Sequence, residues 1–141
     1  MSAPECVILI GLPGAGKSTF FRSRFPTYTH VSKDALPPHA RDKGVRQDAA
    51  IRASLSAGVS VVIDNTNVTP ADRAAIIAIA REFGARIVGY YLDVTTREAV
   101  ARNERREGRA KVPKVAIFTC AKKLVPPALE EGFDELVTVK G

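Results

Sequence analysis

Cys6-Val-Ile-Leu-Ile-Gly11-Leu-Pro-Gly-Ala-Gly-Lys17-Ser18-Thr19 joins five apolar residues to a glycine-rich turn and a Lys-Ser-Thr step. Gly11, Gly16, Lys17 and Ser18 fit G-x-x-x-x-G-K-[ST], with a predicted strand before the turn and a predicted helix after it. Backbone N–H groups of such a turn and of the following helix N-terminus form a nest suited to a polyphosphate. Lys17 is expected to reach the β- and γ-phosphates, and the Ser18 hydroxyl to sit on a magnesium ion. The pattern predicts binding of a nucleoside triphosphate.

Outward from this stretch, apolar runs alternate with helical patterns, the signature of an α/β protein with a parallel sheet. Strands are predicted at 6–10, 29–32, 59–64, 86–92 and 136–139. The first, third and fourth are almost continuously apolar, as strands covered on both faces should be. Helices are predicted from Lys17 to before Pro26, over 41–57, from Pro70 to Gly84 with Thr69 as N-cap, and from a Thr95/Glu98 capping box to about Glu107. A fifth opens at Pro113 and closes at Pro126 and Pro127.

A chain of 141 residues, 45% hydrophobic and 26% charged, predicts one domain spanning 1–141 with a real core. No apolar stretch approaches the roughly 20 residues that span a bilayer, and the N-terminus lacks a signal-peptide layout. The expectation is an intracellular protein, nuclear or cytoplasmic and not secreted, with no membrane partner; nothing in the sequence fixes its oligomeric state. Cys6 and Cys120 are expected to be small core residues, and His30 and His39 have no ligand-like spacing. Between Arg97 and Lys123 nine basic residues face three acidic ones, an excess equal to the net charge of +6 of the whole chain. Such a block suits a polyanionic partner, a nucleotide or a nucleic acid; a solvated helix face is the plainer alternative.

Phosphoryl transfer needs a metal held by a second group, a proton acceptor and positive charge on the moving phosphoryl. Two carboxylates lie at the carboxyl ends of predicted strands, where such groups cluster. Asp64 ends the Val-Ser-Val-Val-Ile run, the place of a magnesium-holding aspartate, and Asp34 follows the second strand. Either could instead cap a turn. Arg102 and Arg106 stand four apart on one helix face, and Arg105 and Arg109 on a neighbouring one.

Together these residues resemble the 5′-hydroxyl polynucleotide kinase family, in the kinase domain of phage and animal end-healing enzymes. Gly-Leu-Pro-Gly-Ala-Gly-Lys-Ser-Thr-Phe at 11–20, Val31-Ser-Lys-Asp34, Asp64-Asn-Thr-Asn67 with Arg73, Arg102-Asn-Glu-Arg-Arg106 and the tail Pro127 to Phe133 carry the likeness along nearly the whole chain. The resemblance implies a P-loop kinase fold, with a central parallel sheet of about five strands flanked by helices and a helical lid over about 102–114. It implies transfer of the ATP γ-phosphate to a 5′-OH end, in nucleic-acid end healing or DNA repair.

In that family pattern Lys17, Asp34 and Arg106 are catalytic, with Asp34 accepting the hydroxyl proton. Gly11, Pro13, Gly14, Ala15, Gly16, Lys17, Ser18, Thr19, Arg102 and Arg106 hold ATP, and Ser18 with Asp64 holds Mg²⁺. The acceptor is expected to meet Lys33, Asp34, Thr66, Asn67 and Arg73. Lys33 stands where the family commonly has arginine, and Pro37 where phage-type members carry another, which turns attention to Arg41 and Arg46 for the acceptor. The tail favours DNA over RNA. No Asp-x-Asp-Gly-Thr segment occurs, so the 3′-phosphatase that often accompanies this kinase is expected outside this chain. The competing readings are a small-molecule or toxin-type P-loop kinase and a nucleotide-binding module without catalysis.

Overall fold

Five parallel strands form the centre of the computed structural model, which describes residues 3–37, 39–108 and 111–140. They are β1 (Glu5–Ile10), β2 (Thr29–Val31), β3 (Val61–Asp64), β4 (Arg86–Asp93) and β5 (Glu135–Lys140), in the spatial order β2-β3-β1-β4-β5. Helices α1 (Lys17–Arg24), α2 (Lys43–Ser56), α3 (Pro70–Glu82), α4 (Thr96–Glu104) and α5 (Lys114–Lys123) make the connections. The strand and helix order match what the apolar pattern predicts.

β1 shows why both faces must be covered. Cys6, Ile8 and Ile10 point into a core formed with Ile51 and Leu55 of α2 and Ile76, Ile79 and Ala80 of α3. Val7 and Leu9 point the other way, into a layer closed by Phe20, Phe21 and Phe25 of α1 and its exit. A strand buried on both sides reads as a continuous apolar run because neither face meets water. A third cluster joins Leu12 and Ala15 of the glycine-rich turn to Ala99 of α4 and Ile117 of α5. Cys6 is fully buried, and burial pushes its thiol up to about 12; Cys120 is partly buried against the third cluster.

Boundaries fall within a few residues of expectation, and two of the shifts have clear local causes. Val59 does not open β3, because the Ser54 side chain donates to its carbonyl at 2.8 Å and the Ser54 carbonyl accepts from its N–H at 2.9 Å. α4 stops at Glu104 rather than near Glu107. The buried Asn103 side chain donates to the Val112 carbonyl at 2.6 Å and accepts from its N–H at 2.9 Å, which draws the chain out of the helix. The expected lid over 102–114 is thus the end of α4 and a loop pinned by Asn103, with Arg109 outside the described residues.

The chain leaves β1 toward β2 and leaves β3 toward β4, so the direction of winding reverses between β1 and β3. In open α/β sheets a crevice forms at such a reversal, beyond the carboxyl ends of the strands. The glycine-rich turn leaves β1 there, and Asp64 ends β3 there.

Candidate active site

The turn from Gly11 to Gly16 has a shape that only glycine supports at two points. Gly14 has φ 88°, and a Cβ there would lie 2.5 Å from the Ala99 carbonyl oxygen. Gly16 has φ 94° and faces the Arg102 guanidinium at 2.9 Å from the same imagined atom. Positive φ in this range disfavours side chains at both positions, and at Gly14 the backbone carbonyl also leaves no room for a Cβ. Arg102 donates to the Ala15 carbonyl at 2.8 Å, so the end of α4 grips the turn directly.

Lys17 begins α1 and is 8% exposed. Its ammonium donates to the Leu12 and Gly11 carbonyls at 2.9 and 3.2 Å. Burial lowers it to about 8; the charge of Arg106 adds to the lowering, while Asp64, Cys120 and Asp34 oppose it.

Ser18 donates to Asp64 Oδ2 at 2.7 Å. Asp64 is 5% exposed. Burial pushes its carboxyl up, but hydrogen bonds from His30 and Ser18 and the charge of Lys17 prevail and hold it below the usual carboxylate range. A hydroxyl beside an ionised carboxylate at a phosphate cradle fits Mg²⁺, which takes one or two protein oxygens and completes its shell with phosphates and water. No cluster of three or more His, Cys, Asp or Glu side chains that could hold a metal ion occurs among the described residues.

Two cavities lie at this end of the sheet, the first of them on the turn itself. One, of about 730 Å³, is lined by Gly14 to Gly16, Thr19, Arg102 and Arg106, with Phe20, Leu92 and Val94 supplying apolar wall. Basic groups beside the cradle and an apolar wall beyond suit phosphates and a base. The other, of about 400 Å³, is lined by Lys33, Asp34, Asn65, Thr66, Asn67 and the start of α3. Asp34 sits there in a short 3-10 turn, Lys33–Ala35, whose N-cap Ser32 accepts from the Asp34 N–H at 3.2 Å.

The Asp64-Asn-Thr-Asn67 segment holds these parts in register. Asn65 accepts from the Lys33 N–H at 2.9 Å and donates to the Gln47 side chain, which ties the Asp34 turn to β3 and α2. The Thr66 carbonyl accepts from Gly11 N–H at 3.0 Å, extending the sheet ladder to the glycine-rich turn. Asn67, at φ 47°, donates to the Leu9 carbonyl at 2.8 Å.

Arg73 requires a correction. It is fully buried, with Nε and Nη2 donating to the two Glu131 oxygens at 2.8 and 3.0 Å and Nη1 to the Asn67 carbonyl at 2.9 Å. A guanidinium so enclosed cannot meet an acceptor; it fixes the Asn67 loop to the segment before β5. Asn67, expected at the acceptor, lines its cavity but is 5% exposed and spends its amide on β1. Arg41 and Arg46 are exposed and outside the wall of the Asp34 cavity. Pro13 lies in the turn without lining the larger cavity.

Two residues go unnoticed in the sequence. His30 Nε2 lies 2.8 Å from Asp64 Oδ2, and its ring stacks on Phe21 at 4.3 Å. An ionised carboxylate only accepts, so this nitrogen carries the proton. No spacing signals this contact; it exists because β2 pairs with β3. Glu131 is equally silent, 58 residues from the arginine it holds.

The family model described as AAA domain matches residues 6–127. A bifunctional polynucleotide phosphatase/kinase of Schizosaccharomyces pombe is 35% identical over 140 residues, covering 96% of this chain and 33% of that protein. The chain therefore spans about a third of the length of that relative. Among solved structures, a chain of the Pnkp1/Rnl/Hen1 RNA repair complex superposes with TM-score 0.74 and 25% identity, over 88% of this chain and 45% of that one. A gluconokinase from Sinorhizobium meliloti shares the fold, with TM-score 0.68 and 21% identity over 99% of this chain and 84% of its own. No helix among the described residues is long and apolar enough to cross a membrane. The chain belongs to the AAA-domain family of P-loop proteins, and proteins named polynucleotide phosphatase/kinase are among those it is similar to.

Proposed function

We propose that this domain transfers the γ-phosphoryl group of ATP to the 5′-hydroxyl end of a nucleic acid strand. The observation that carries this reading is a pair of cavities on one phosphate cradle: one lined by Gly14 to Gly16 of the turn, the other by Thr66, whose carbonyl accepts from the Gly11 N–H. The basic donor cleft carries Arg102 and Arg106, and the acceptor cavity carries Asp34. A nucleotide-binding module without catalysis would need no carboxylate in a second cavity opening beside the cradle.

In the reaction the 5′-oxygen forms a bond to the γ-phosphorus as the bond to the β–γ bridging oxygen breaks. The electron pair leaves with ADP, and the hydroxyl proton passes to the Asp34 carboxylate. Positioned proton transfer of this kind contributes about 10²–10⁴-fold. Lys17 and Arg106 neutralise the phosphoryl oxygens, and Arg102 secures the donor from the lid side. An arginine acting on the transition state in this way is worth ~10³–10⁵ in rate in NTPases. Ser18 and Asp64 would hold Mg²⁺, which would neutralise charge on the β- and γ-phosphates.

The strand is DNA or RNA, with no preference for DNA, because a solved neighbour at 25% identity comes from an RNA repair complex. A second reading, a small polar acceptor, has its own observation: Asp48 and Asp72 join Asp34 on the acceptor wall, against Lys33 alone. Label transfer from γ-labelled ATP to matched 5′-OH DNA and RNA oligomers, with a nucleoside and a sugar acid as controls, decides between them. Transfer to an oligomer that weakens steeply with salt is the expected result. Efficient, salt-indifferent phosphorylation of the small acceptors alone would replace it.

A further inference from the structure

Helix α5 presents two unlike faces. Ile117 is fully buried against Leu12, Ala15 and Ala99, with Cys120, Ala121 and Leu124 beside it. The opposite face leaves Val115 67% and Phe118 48% exposed. An aromatic ring held open to water is costly to keep, and no ring contact engages Phe118 among the described residues. Lys114 and Lys122 stand four residues to either side of it, on the same stripe of the helix. They are about 12 Å apart along the axis.

The charge around this ring is one-sided. The run from Lys111 to Lys123 holds four lysines and no acidic residue. Lys111 and Lys114 lie 3.5 and 3.6 Å from oxygens of the single exposed Glu104, which leaves positive charge in excess. Exposed pairs of this kind are worth about 0–1 kcal/mol, so a phosphate can readily replace the carboxylate.

The helix is also anchored to both halves of the site. Asn103, next to Arg102, holds Val112 just before α5. Beyond its other end, Val125 N–H donates to the Val68 carbonyl at 2.8 Å, one residue after Asn67 of the acceptor cavity. Helix α5 therefore spans from a segment held by the end of α4 to a segment held by the loop after Asn67.

We propose that this face is the platform for the acceptor strand behind its 5′ end, with a base stacked on Phe118 and backbone phosphates on Lys114 and Lys122. The proposal rests on the kinase reading above and adds the strand's path to it. Single-stranded nucleic acid is the occupant because an open aromatic between cations is the arrangement that stacks bases while tracking phosphates, without regard to sequence.

The test compares wild type, Phe118→Ala, Phe118→Tyr and Lys122→Ala on two acceptors, a nucleoside 3′-monophosphate and a 5′-OH single-stranded oligomer. Binding of the same oligomer, fluorescently labelled, is measured without ATP. Phe118→Ala should raise KM and Kd for the oligomer by about 5- to 100-fold, as loss of one base–aromatic stack does. Its kcat and its kcat/KM on the mononucleotide should stay unchanged, and Phe118→Tyr should restore the oligomer's KM. Lys122→Ala should reduce the salt slope of oligomer binding by about one. Wild-type oligomer affinity retained in Phe118→Ala, with an unchanged melting temperature, overturns the platform and leaves the kinase reading intact. Failure of wild type to phosphorylate either acceptor overturns the kinase reading, while the binding arm still decides the platform.

Discussion

Replacing Arg73 with alanine separates two roles that the sequence alone left merged, acceptor contact and internal support. The guanidinium is fully buried and forked onto Glu131, with a third bond to the Asn67 carbonyl. Breaking a buried ion pair by removing one partner costs about 3–5 kcal/mol. Glu131 retains 18% exposure and can rehydrate, so the lower end applies, about 3 kcal/mol. Unfolding entropy of ~2.1 cal/mol/K per residue gives about 0.3 kcal/mol/K for this chain, and hence a drop in Tm of about 10 °C. Thermal unfolding followed by circular dichroism measures it. Arg73→Lys should recover part of the loss, because an ammonium keeps the charge but not the fork.

The pair also has a pH signature. Hydrogen bonding from Arg73 is the main cause holding Glu131 below the ordinary glutamate range. A depressed folded-state value means that the stabilisation is present above about pH 4.3 and fades as pH falls through the folded value. The gap in Tm between wild type and Arg73→Ala should therefore narrow in acid. An unchanged Tm at neutral pH together with a raised acceptor KM would refute the argument and return Arg73 to the acceptor.

Asp34→Asn should lower kcat by about 10²-fold or more while ATP affinity stays near wild type; isothermal titration with ATP checks the second part, and lost binding would make Asp34 structural. Lys17, lowered to about 8 by burial, should gain a proton when a polyphosphate arrives beside it. ATP binding near pH 8 should then take up ~0.5 proton, read from the buffer dependence of the binding enthalpy, and much less at pH 6.5. A buffer-independent enthalpy at pH 8 would contradict the assigned contact. Gly14→Ala should weaken ATP binding severely and destabilise the fold by about 2 kcal/mol, from positive φ and the clash with the Ala99 carbonyl; near-native Tm and ATP affinity would show that the turn can rearrange.

Much of the molecule was legible in one dimension because its physics is local. A buried parallel strand must be apolar on both faces, so β1, β3 and β4 declare themselves. A phosphate nest needs glycines at fixed offsets, so Gly11 and Gly16 stand where the motif places them. Thr95 and Glu98 form the expected capping box, and Thr69 caps α3 by accepting from the Asp72 N–H at 3.1 Å.

Long-range partners were not legible. Nothing in the order of residues says that His30 will bond Asp64, or that Arg73 will turn inward onto Glu131. Each pairing depends on which strands become neighbours and on which charged group burial then forces to find a counterpart. A motif arginine is equally compatible with a substrate and with a buried carboxylate until its exposure is known. Phe118 is the converse case: its apolar type predicts a core position, and only the packing of Ile117 beneath α5 turns it outward. The sequence by itself determined the phosphate loop, the layer order and the identity of the chemical groups, because periodicity and turn chemistry act over a few residues. Tertiary structure alone decided which of those groups line a cavity and which turn inward, because burial and charge pairing are settled between segments far apart in the chain.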